Sequence, residues 1–140
     1  MPARLFIDTN IWLYALIPNA DDSKHVLATE FVLRLKRPLI NSQVIREASS
    51  NLLKKAGIAE VKLRAIIQDW YRACEVYPSN AAQHVLASEL RQQYAFSYWD
   101  SLIVAAALDA GCTTLFSEDM QHGQTIDDRL TIINPFVGRS

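Results

Sequence analysis

Short apolar runs alternate with longer amphipathic segments along this chain of 140 residues. The apolar runs are read as buried strands, and apolar residues recur at helical spacing in the segments between them. Strands that are separated by helices require crossover connections, which favour a mainly parallel sheet with helices on both faces. We therefore predict an α/β fold, a three-layer α/β/α sandwich, with strands at 5–7, 39–40, 76–77, 114–116 and 130–133.

The helix boundaries are predicted from capping residues and from helix-breaking residues. A short helix from Asn10 to Leu16 is stopped by Pro18, and Asp21-Asp22-Ser23 offers a capped start for the next helix, which runs through Leu35. Further helices are predicted from 41–42 to about 55, over 59–73, from 79–80 to about 93 and from 97 to 110. No repeat or linker interrupts the pattern, so residues 1–140 are expected to form a single domain.

Other features of the sequence indicate the cellular compartment in which the protein is found. The longest apolar run, 102–108, is too short to span a bilayer, and Arg4 is followed by only three apolar residues before Asp8, unlike a secretory signal. Cys74 and Cys112 lie far apart within apolar segments, which favours buried thiols in a reducing compartment over a disulfide or a metal pair. We expect a cytoplasmic protein without a membrane partner.

Acidic residues occur where the carboxyl ends of the predicted strands meet the following helices. Asp8 directly follows the first strand, and Glu47 lies in the second turn of the helix after the second strand. Asp100 lies in the first turn of the helix that Ser97 opens, and Asp119 follows the fourth strand. Right-handed crossovers would bring all four to one edge of the sheet, which is where open α/β sheets bind ligands.

Each of these residues also has a purely structural explanation. Asp8 is a suitable helix cap, Glu47 suits a solvated helix surface, Asp100 could form a capping box with Ser97, and Asp119 could begin a turn. Taken singly, these explanations are as good as a functional one. The coincidence of four carboxylates at one edge favours a functional site.

Ionised carboxylates that crowd together need a compensating cation. Oxygen-only ligands suit Mg²⁺ or Mn²⁺, and His25, His84 and His122 are too scattered for a zinc site. We therefore predict a metal site formed by the acidic residues identified above, namely Asp8, Glu47, Asp100 and Asp119. A metal ion that is held by carboxylates and open to solvent is typical of phosphate-ester chemistry.

The distribution of charge gives a second hint of a phosphate-containing partner. The net charge is −1, but residues 34–72 carry nine basic and three acidic residues, whereas the rest of the chain carries five basic and twelve acidic ones. Such asymmetry is often associated with a polyanion partner. The alternative is a solvated helical surface whose charges are neutralised by their neighbours, and the sequence does not decide between the two.

Four segments together resemble the PIN domains, and within them the VapC-like toxins of prokaryotic toxin–antitoxin pairs. They are Phe6-Ile-Asp-Thr-Asn-Ile11, Ser42-Gln-Val-Ile-Arg-Glu47, Tyr98-Trp-Asp-Ser-Leu-Ile103 and Leu115-Phe-Ser-Glu-Asp119. The first and third are the specific ones. The resemblance runs nearly end to end and places the acidic residues of the family on Asp8, Glu47, Asp100 and Asp119.

This resemblance implies a five-stranded parallel sheet with strand order 3-2-1-4-5, and RNA cleavage that depends on Mg²⁺ or Mn²⁺. It also implies a homodimer and a cognate antitoxin protein whose tail enters the active-site groove. Ser117 matches a hydroxyl residue that often stands two positions before the last acidic residue and is expected to support the metal ligands. Glu118 neighbours Asp119, and either could supply the last carboxylate.

The resulting hypothesis is an endoribonuclease that cleaves single-stranded RNA by in-line attack of a metal-activated water on a phosphodiester. Asp8, Asp100 and Asp119 would hold the metal, and Glu47 would complete its ligand set or orient the water. One alternative is an RNA-binding PIN module with little or no turnover. A phosphatase that uses Asp8 as a covalent nucleophile is less favoured, since such enzymes place a second Asp where this chain has Asn10.

Overall fold

A twisted sheet forms the centre of the computed structural model, which describes residues 3–18 and 23–138. Among these residues the sheet has six strands, in the order β3-β2-β1-β4-β6-β5. They are β1 (Leu5–Ile7), β2 (Leu39–Asn41), β3 (Glu75–Tyr77), β4 (Thr114–Phe116), β5 (Thr125–Ile126) and β6 (Leu130–Ile133).

The five strands predicted from the sequence pair in parallel, and their order along the sheet is the expected one. The predicted number of strands is wrong, because β5 adds a sixth strand that pairs antiparallel with β6 at the sheet edge. Thr125 and Ile126 are too few to show an alternating pattern. The turn that follows them uses Asp127 and Asp128 at positive φ, a weaker hairpin signal than Asn-Gly.

Six helices in the described part of the chain agree with the predicted ones to within about two residues. They are α1 (Thr9–Leu16), α2 (Ser23–Arg34), α3 (Ser42–Lys54), α4 (Glu60–Ala73), α5 (Ala81–Gln93) and α6 (Tyr98–Asp109). The predicted start of α2 at Asp21-Asp22 lies outside the described residues. Asn41, Asn80 and Ser97 cap α3, α5 and α6 by accepting from the backbone N–H three residues ahead. None of the described helices is long and apolar enough to cross a membrane.

The helices form two groups that cover the sheet. Helix α1 packs on both α2 and α3, α3 packs on α4, and α5 packs on α6, which gives the expected three-layer sandwich. Helix α6 is buried on nearly every side from Ile103 to Leu108, where a run of alanines follows Val104. Cys74 and Cys112 are free and buried as predicted, and burial raises the pKa of each thiol to about 11.

The fold brings the carboxyl ends of three strands to one edge of the sheet. β1, β2 and β4 are adjacent and parallel, so their carboxyl ends lie side by side. The residues that directly follow or end these strands are polar and buried: Asp8 after β1, Asn41 at the end of β2, and Ser117 after β4. A row of buried polar side chains at this edge is consistent with a ligand site, and the acidic residues lie around it.

Candidate active site

Asp8 occupies the middle of this edge, and both of its carboxylate oxygens are held by hydrogen bonds. It is the N-cap of α1, where Oδ1 accepts from the backbone N–H of Thr9 at 2.8 Å. The Oδ2 atom accepts from the Ser117 hydroxyl at 2.9 Å. The side chain is only 7% exposed. The capping role considered from the sequence is therefore present, but it uses only one of the two oxygens.

The environment of Asp8 disfavours its negative charge. Burial raises the pKa of Asp8 from 3.8 to about 6, and the nearby charges of Asp100 and Glu47 push it in the same direction. The hydrogen bonds from Thr9 and Ser117 oppose this rise. A buried carboxylate whose nearest charged groups are also negative is destabilising unless a cation binds beside it.

Glu47 is half-buried on α3 and turns toward α1. Its Oε1 accepts from the Thr9 hydroxyl at 3.4 Å and from the Gln43 side-chain amide at 3.2 Å. The Asn51 amide donates to its backbone carbonyl. Glu47 is therefore not a freely solvated helix residue, and its carboxylate is oriented toward the site edge.

Asp100 and Asp119 form the other end of the acidic row. The backbone N–H of Asp100 donates to the Ser97 hydroxyl at 3.1 Å, so the expected capping contact is present. Burial raises the pKa of the Asp100 carboxyl, and the charge of Asp119 adds to the effect. Asp119 accepts from the side-chain amide of Asn10 at 2.6 Å. Both carboxylates line a cavity of about 180 Å³.

The neighbouring residues Glu118 and Asp119 have different partners. The Glu118 carboxylate accepts from the Tyr14 hydroxyl at 2.7 Å and forms an ion pair with Lys24. Asp119 has no ion pair within the described residues. The carboxylate of Glu118 is thus already neutralised, whereas that of Asp119 remains available to a cation.

The four candidate carboxylates form a row in the order Glu47, Asp8, Asp100 and Asp119. Electrostatic interactions link each with the next, while Glu47 and Asp119 line separate cavities at the two ends. None of the four is paired with a Lys, Arg or His in the described ranges 3–18 and 23–138. This uncompensated set of oxygen ligands suits a divalent cation such as Mg²⁺ or Mn²⁺. However, no three His, Cys, Asp or Glu residues of those ranges converge closely enough to form a metal cage.

Three polar residues of the site were not singled out as site residues from the sequence. Thr9 and Gln43 orient Glu47, and Asn10 orients Asp119. Asn10 and Asp119 lie far apart in sequence, so only the fold could pair them. The position of Gln43 four residues before Glu47 in one helix was a usable signal, because side chains at that spacing are neighbours.

Local ion pairs neutralise two of the basic residues in segment 34–72. Arg34 forms an ion pair with Glu30, and Arg72 forms one with Asp69. Lys54 lies in the last turn of α3, about 10 Å along the helix from Glu47. These residues fit the alternative of a solvated helical surface. Arg46 is different, because it lies one residue before Glu47 and lines the same cavity.

The sequence model of the PIN domain family matches residues 5–125. No curated protein matches the chain. The structure of VapC20 from Mycobacterium tuberculosis, described as a toxin that cleaves the sarcin–ricin loop, is 19% identical and covers 82% of this chain and 89% of its own, with a TM-score of 0.66.

Two further structures are similar over nearly the whole length. A toxin–antitoxin complex from Klebsiella pneumoniae is 14% identical, with a TM-score of 0.70 over 95% of this chain and 98% of that one. A structure of FitAB bound to a DNA fragment is 13% identical, with a TM-score of 0.68 over 94% and 95%. At these identities the similarity concerns the fold.

Proposed function

Because the chain belongs to the PIN domain family, we propose that it is a metal-dependent endoribonuclease that cleaves single-stranded RNA, and that it acts as the toxin of a toxin–antitoxin pair. The observation that carries the proposal is Asp8, a buried carboxylate held by two hydrogen bonds and flanked by further negative charges. PIN-domain nucleases generally use divalent metal ions. Residues 1–140 would form one such domain.

We assign the metal ligands to Asp8, Asp100 and Asp119, with Glu47 completing the set or orienting a water molecule. When bound, Mg²⁺ or Mn²⁺ would supply an activated water and would neutralise charge on the phosphodiester. The pairing of Glu118 with Lys24 supports the assignment of Asp119 rather than its neighbour. The unpaired negative charge of the acidic row supports a divalent cation over a monovalent one.

The residues around the row would keep the carboxylates in position during the reaction. Ser117 and the Thr9 N–H fix the two oxygens of Asp8, so that its rotamer is set before any ligand binds. Asn10 restrains Asp119, and Gln43 restrains Glu47. In the reaction a water oxygen would lose a proton and bond to phosphorus, while the bond from phosphorus to the 3′ oxygen of the neighbouring ribose breaks and that oxygen gains a proton. The products are a 5′-phosphate and a 3′-hydroxyl.

We propose an antitoxin protein and a second copy of this chain as partners. The similarity to a toxin–antitoxin complex from Klebsiella pneumoniae supports the first of these partners. Large apolar side chains on the helical surface are also available to a protein partner, since Leu33 is 78% exposed and Val61 is 66% exposed. Size measurement of the purified protein, alone and after co-expression with a candidate antitoxin, would test both partners.

A second candidate is an RNA-binding PIN module with little or no turnover. It is favoured by one observation, the absence of a closed three-ligand group among the described residues. In such a protein the acidic row would not gather around a cation tightly enough to activate water. RNA would then bind without being cut.

The decisive experiment compares RNA cleavage with and without chelator. Purified protein and single-stranded RNA are incubated with Mg²⁺, with Mn²⁺ or with EDTA, and the 5′ ends of the products are analysed. We expect cleavage only with the divalent ions, and 5′-phosphate ends. Ends with a 5′-hydroxyl, or cleavage that persists in EDTA, would contradict the proposed chemistry. Binding without cleavage in every condition would favour the second candidate.

We expect Arg46 to contribute to RNA binding through a phosphate contact. Changing Arg46 to Gln should reduce the log–log salt dependence of binding to a single strand by about 0.7. Arg72→Gln is the matched control, because it makes the same chemical change in the last turn of α4, where Arg72 forms an ion pair with Asp69. Binding constants measured by fluorescence anisotropy over a salt series give both slopes. Equal slopes for the two variants would show that Arg46 does not face the RNA.

A further inference from the structure

Trp99 is an exposed indole beside the candidate active site. It precedes Asp100 in the first turn of α6, and its side chain is 61% exposed. The other two tryptophans of the chain, Trp12 and Trp70, are buried against each other. A large aromatic side chain that faces solvent next to a catalytic edge contributes little to the core, which points to a role in binding.

The indole is exposed but held in place. The Tyr98 ring meets it edge to face, at 5.0 Å between centroids. The Trp99 backbone carbonyl accepts from the Gln43 side-chain amide of α3 at 3.2 Å. Tyr98 is itself covered by the Arg91 guanidinium, at 4.9 Å from the ring centroid. The ring therefore forms a prepared surface, which lowers the entropy that a ligand loses on binding to it.

Two cavities adjoin this ring. One of about 400 Å³ lies between α3 and α6 and is lined by Gln43, Arg46, Glu47, Ser50, Asn51 and Trp99. Another of about 300 Å³ shares three of these residues, Gln43, Arg46 and Trp99. The first cavity contains one candidate catalytic residue, Glu47. A ligand that occupied it would therefore be next to the acidic row.

The chemistry of the first cavity matches one nucleotide unit. The ring of Trp99 offers an apolar face, and the side chains of Ser50 and Asn51 can donate and accept hydrogen bonds. The Arg46 guanidinium donates to the Ser42 hydroxyl at 3.3 Å and forms no ion pair within the described residues. It can therefore neutralise a phosphate beside the ring. An apolar face, polar edges and one free cation suit a base and its phosphate better than an apolar peptide.

We propose that the cavity between α3 and α6 binds one unpaired nucleobase of the substrate, stacked on Trp99, with Arg46 contacting an adjacent phosphate. This inference rests on the proposed function, because it assigns RNA as the ligand. A cavity of this kind selects single-stranded substrates, since a base that is paired and stacked in a duplex cannot lie on the indole. Stacking on Trp99 gives little base preference by itself, because every base has a face that stacks.

The test measures binding without cleavage. A single-stranded RNA of about 12 nucleotides is titrated into the protein in EDTA at low salt, and indole emission and anisotropy are recorded. A second oligonucleotide of equal length and charge has abasic sites at every position. The variants are Trp99→Ala and Trp99→Phe, with Tyr71→Ala as the control for loss of an exposed aromatic. Tyr71 lies in the last turn of α4, at the edge where β3 begins.

Base-containing RNA should quench wild-type emission, and Trp99→Phe should remove that quenching. Trp99→Ala should weaken binding roughly 5- to 150-fold, the range of one base–aromatic stack. Trp99→Phe should retain most of the affinity, and Tyr71→Ala should bind like wild type. The abasic oligonucleotide should bind wild type and Trp99→Ala equally well. Melting curves of the variants verify that each is folded.

Several outcomes would overturn the inference. The first is that RNA does not quench the emission of wild type, and the second is that the abasic strand quenches it as well. The third is that Trp99→Ala binds RNA with unchanged affinity. A protein partner as the occupant would give this last result, with no dependence on bases. The proposed function fails separately. If RNA binds through Trp99 but is never cut, the proposed cleavage is refuted and the proposed stacking stands. If Trp99→Ala cuts RNA as well as wild type does, the proposed stacking is refuted and the proposed cleavage stands.

Discussion

Replacing Asp8 with Asn is expected to lower metal-dependent RNA cleavage by several orders of magnitude while the protein stays folded. Asp8 lies at the centre of the acidic row and interacts with both Asp100 and Glu47. An amide has nearly the same volume as the carboxylate but brings no charge to a divalent cation. Loss of a central metal ligand should therefore affect catalysis far more than packing.

The structure explains why the fold should tolerate this change. Asn caps helices about as well as Asp, so its side-chain oxygen can accept from the Thr9 N–H. The Ser117 hydroxyl can rotate to meet the amide group in place of Oδ2. Asp128→Asn is the matched control, because it makes the same chemical change at an exposed turn after β5.

Initial cleavage rates of wild type, Asp8→Asn and Asp128→Asn in Mg²⁺ provide the measurement, and circular dichroism verifies folding. The control should cleave like wild type. If Asp8→Asn also cleaves at the wild-type rate, Asp8 is not a ligand of a catalytic metal and the assignment of the site is wrong. If its activity is lost together with its fold, the conservative variant Asp8→Glu provides the comparison.

Much of the fold could be predicted because its local signals agree with one another. Leu5 to Ile7 is an apolar triplet followed by capping residues, and the structure has a strand and a capped helix there. Asn41 and Ser97 mark helix starts by their side-chain chemistry, and both cap helices as expected. Parallel pairing then follows from the alternation of strands with helices, since chain crossovers leave few other arrangements.

The remaining features depend on contacts that no local pattern encodes. β5 has two residues, and its pairing with β6 comes from a turn and not from its own sequence. The choice between Glu118 and Asp119 depends on Lys24 and Asn10, which lie near the start of the chain. Counting charges from 34 to 72 indicated a basic surface, but local ion pairs with Glu30 and Asp69 neutralise Arg34 and Arg72.

Divalent ions are expected to stabilise the folded protein through the acidic row, which tests the convergence of the carboxylates without any RNA. An ion that binds only the folded state stabilises it by RT ln(1 + [L]/Kd), about 2.7 kcal/mol at one hundred times Kd. For a domain of this size we expect the melting temperature to rise by roughly 8–13 °C. Mg²⁺ and Mn²⁺ should both produce the rise, and a monovalent salt of equal ionic strength should not.

The metal-free protein should respond to Asp8→Asn in the opposite sense. The pKa of Asp8 rises from 3.8 to about 6 on folding, so the folded state loses stability as pH increases through this interval. At neutral pH the ionised Asp8 therefore costs about 3 kcal/mol. Asn has no charge to bury. In EDTA the variant should melt at or above the temperature of wild type, although it lacks a metal ligand.

These two expectations combine into one experiment with four melting curves. Wild type and Asp8→Asn are each heated in EDTA and in Mg²⁺, and the coupling between the ion and Asp8 is the difference between the two metal-induced shifts. Wild type should gain most of the predicted rise and the variant little of it. Equal shifts in both proteins would place the ion away from Asp8. If wild type shows no shift at millimolar Mg²⁺ or Mn²⁺, the acidic row does not bind a divalent ion strongly in the free protein, and catalysis would require RNA to complete the site.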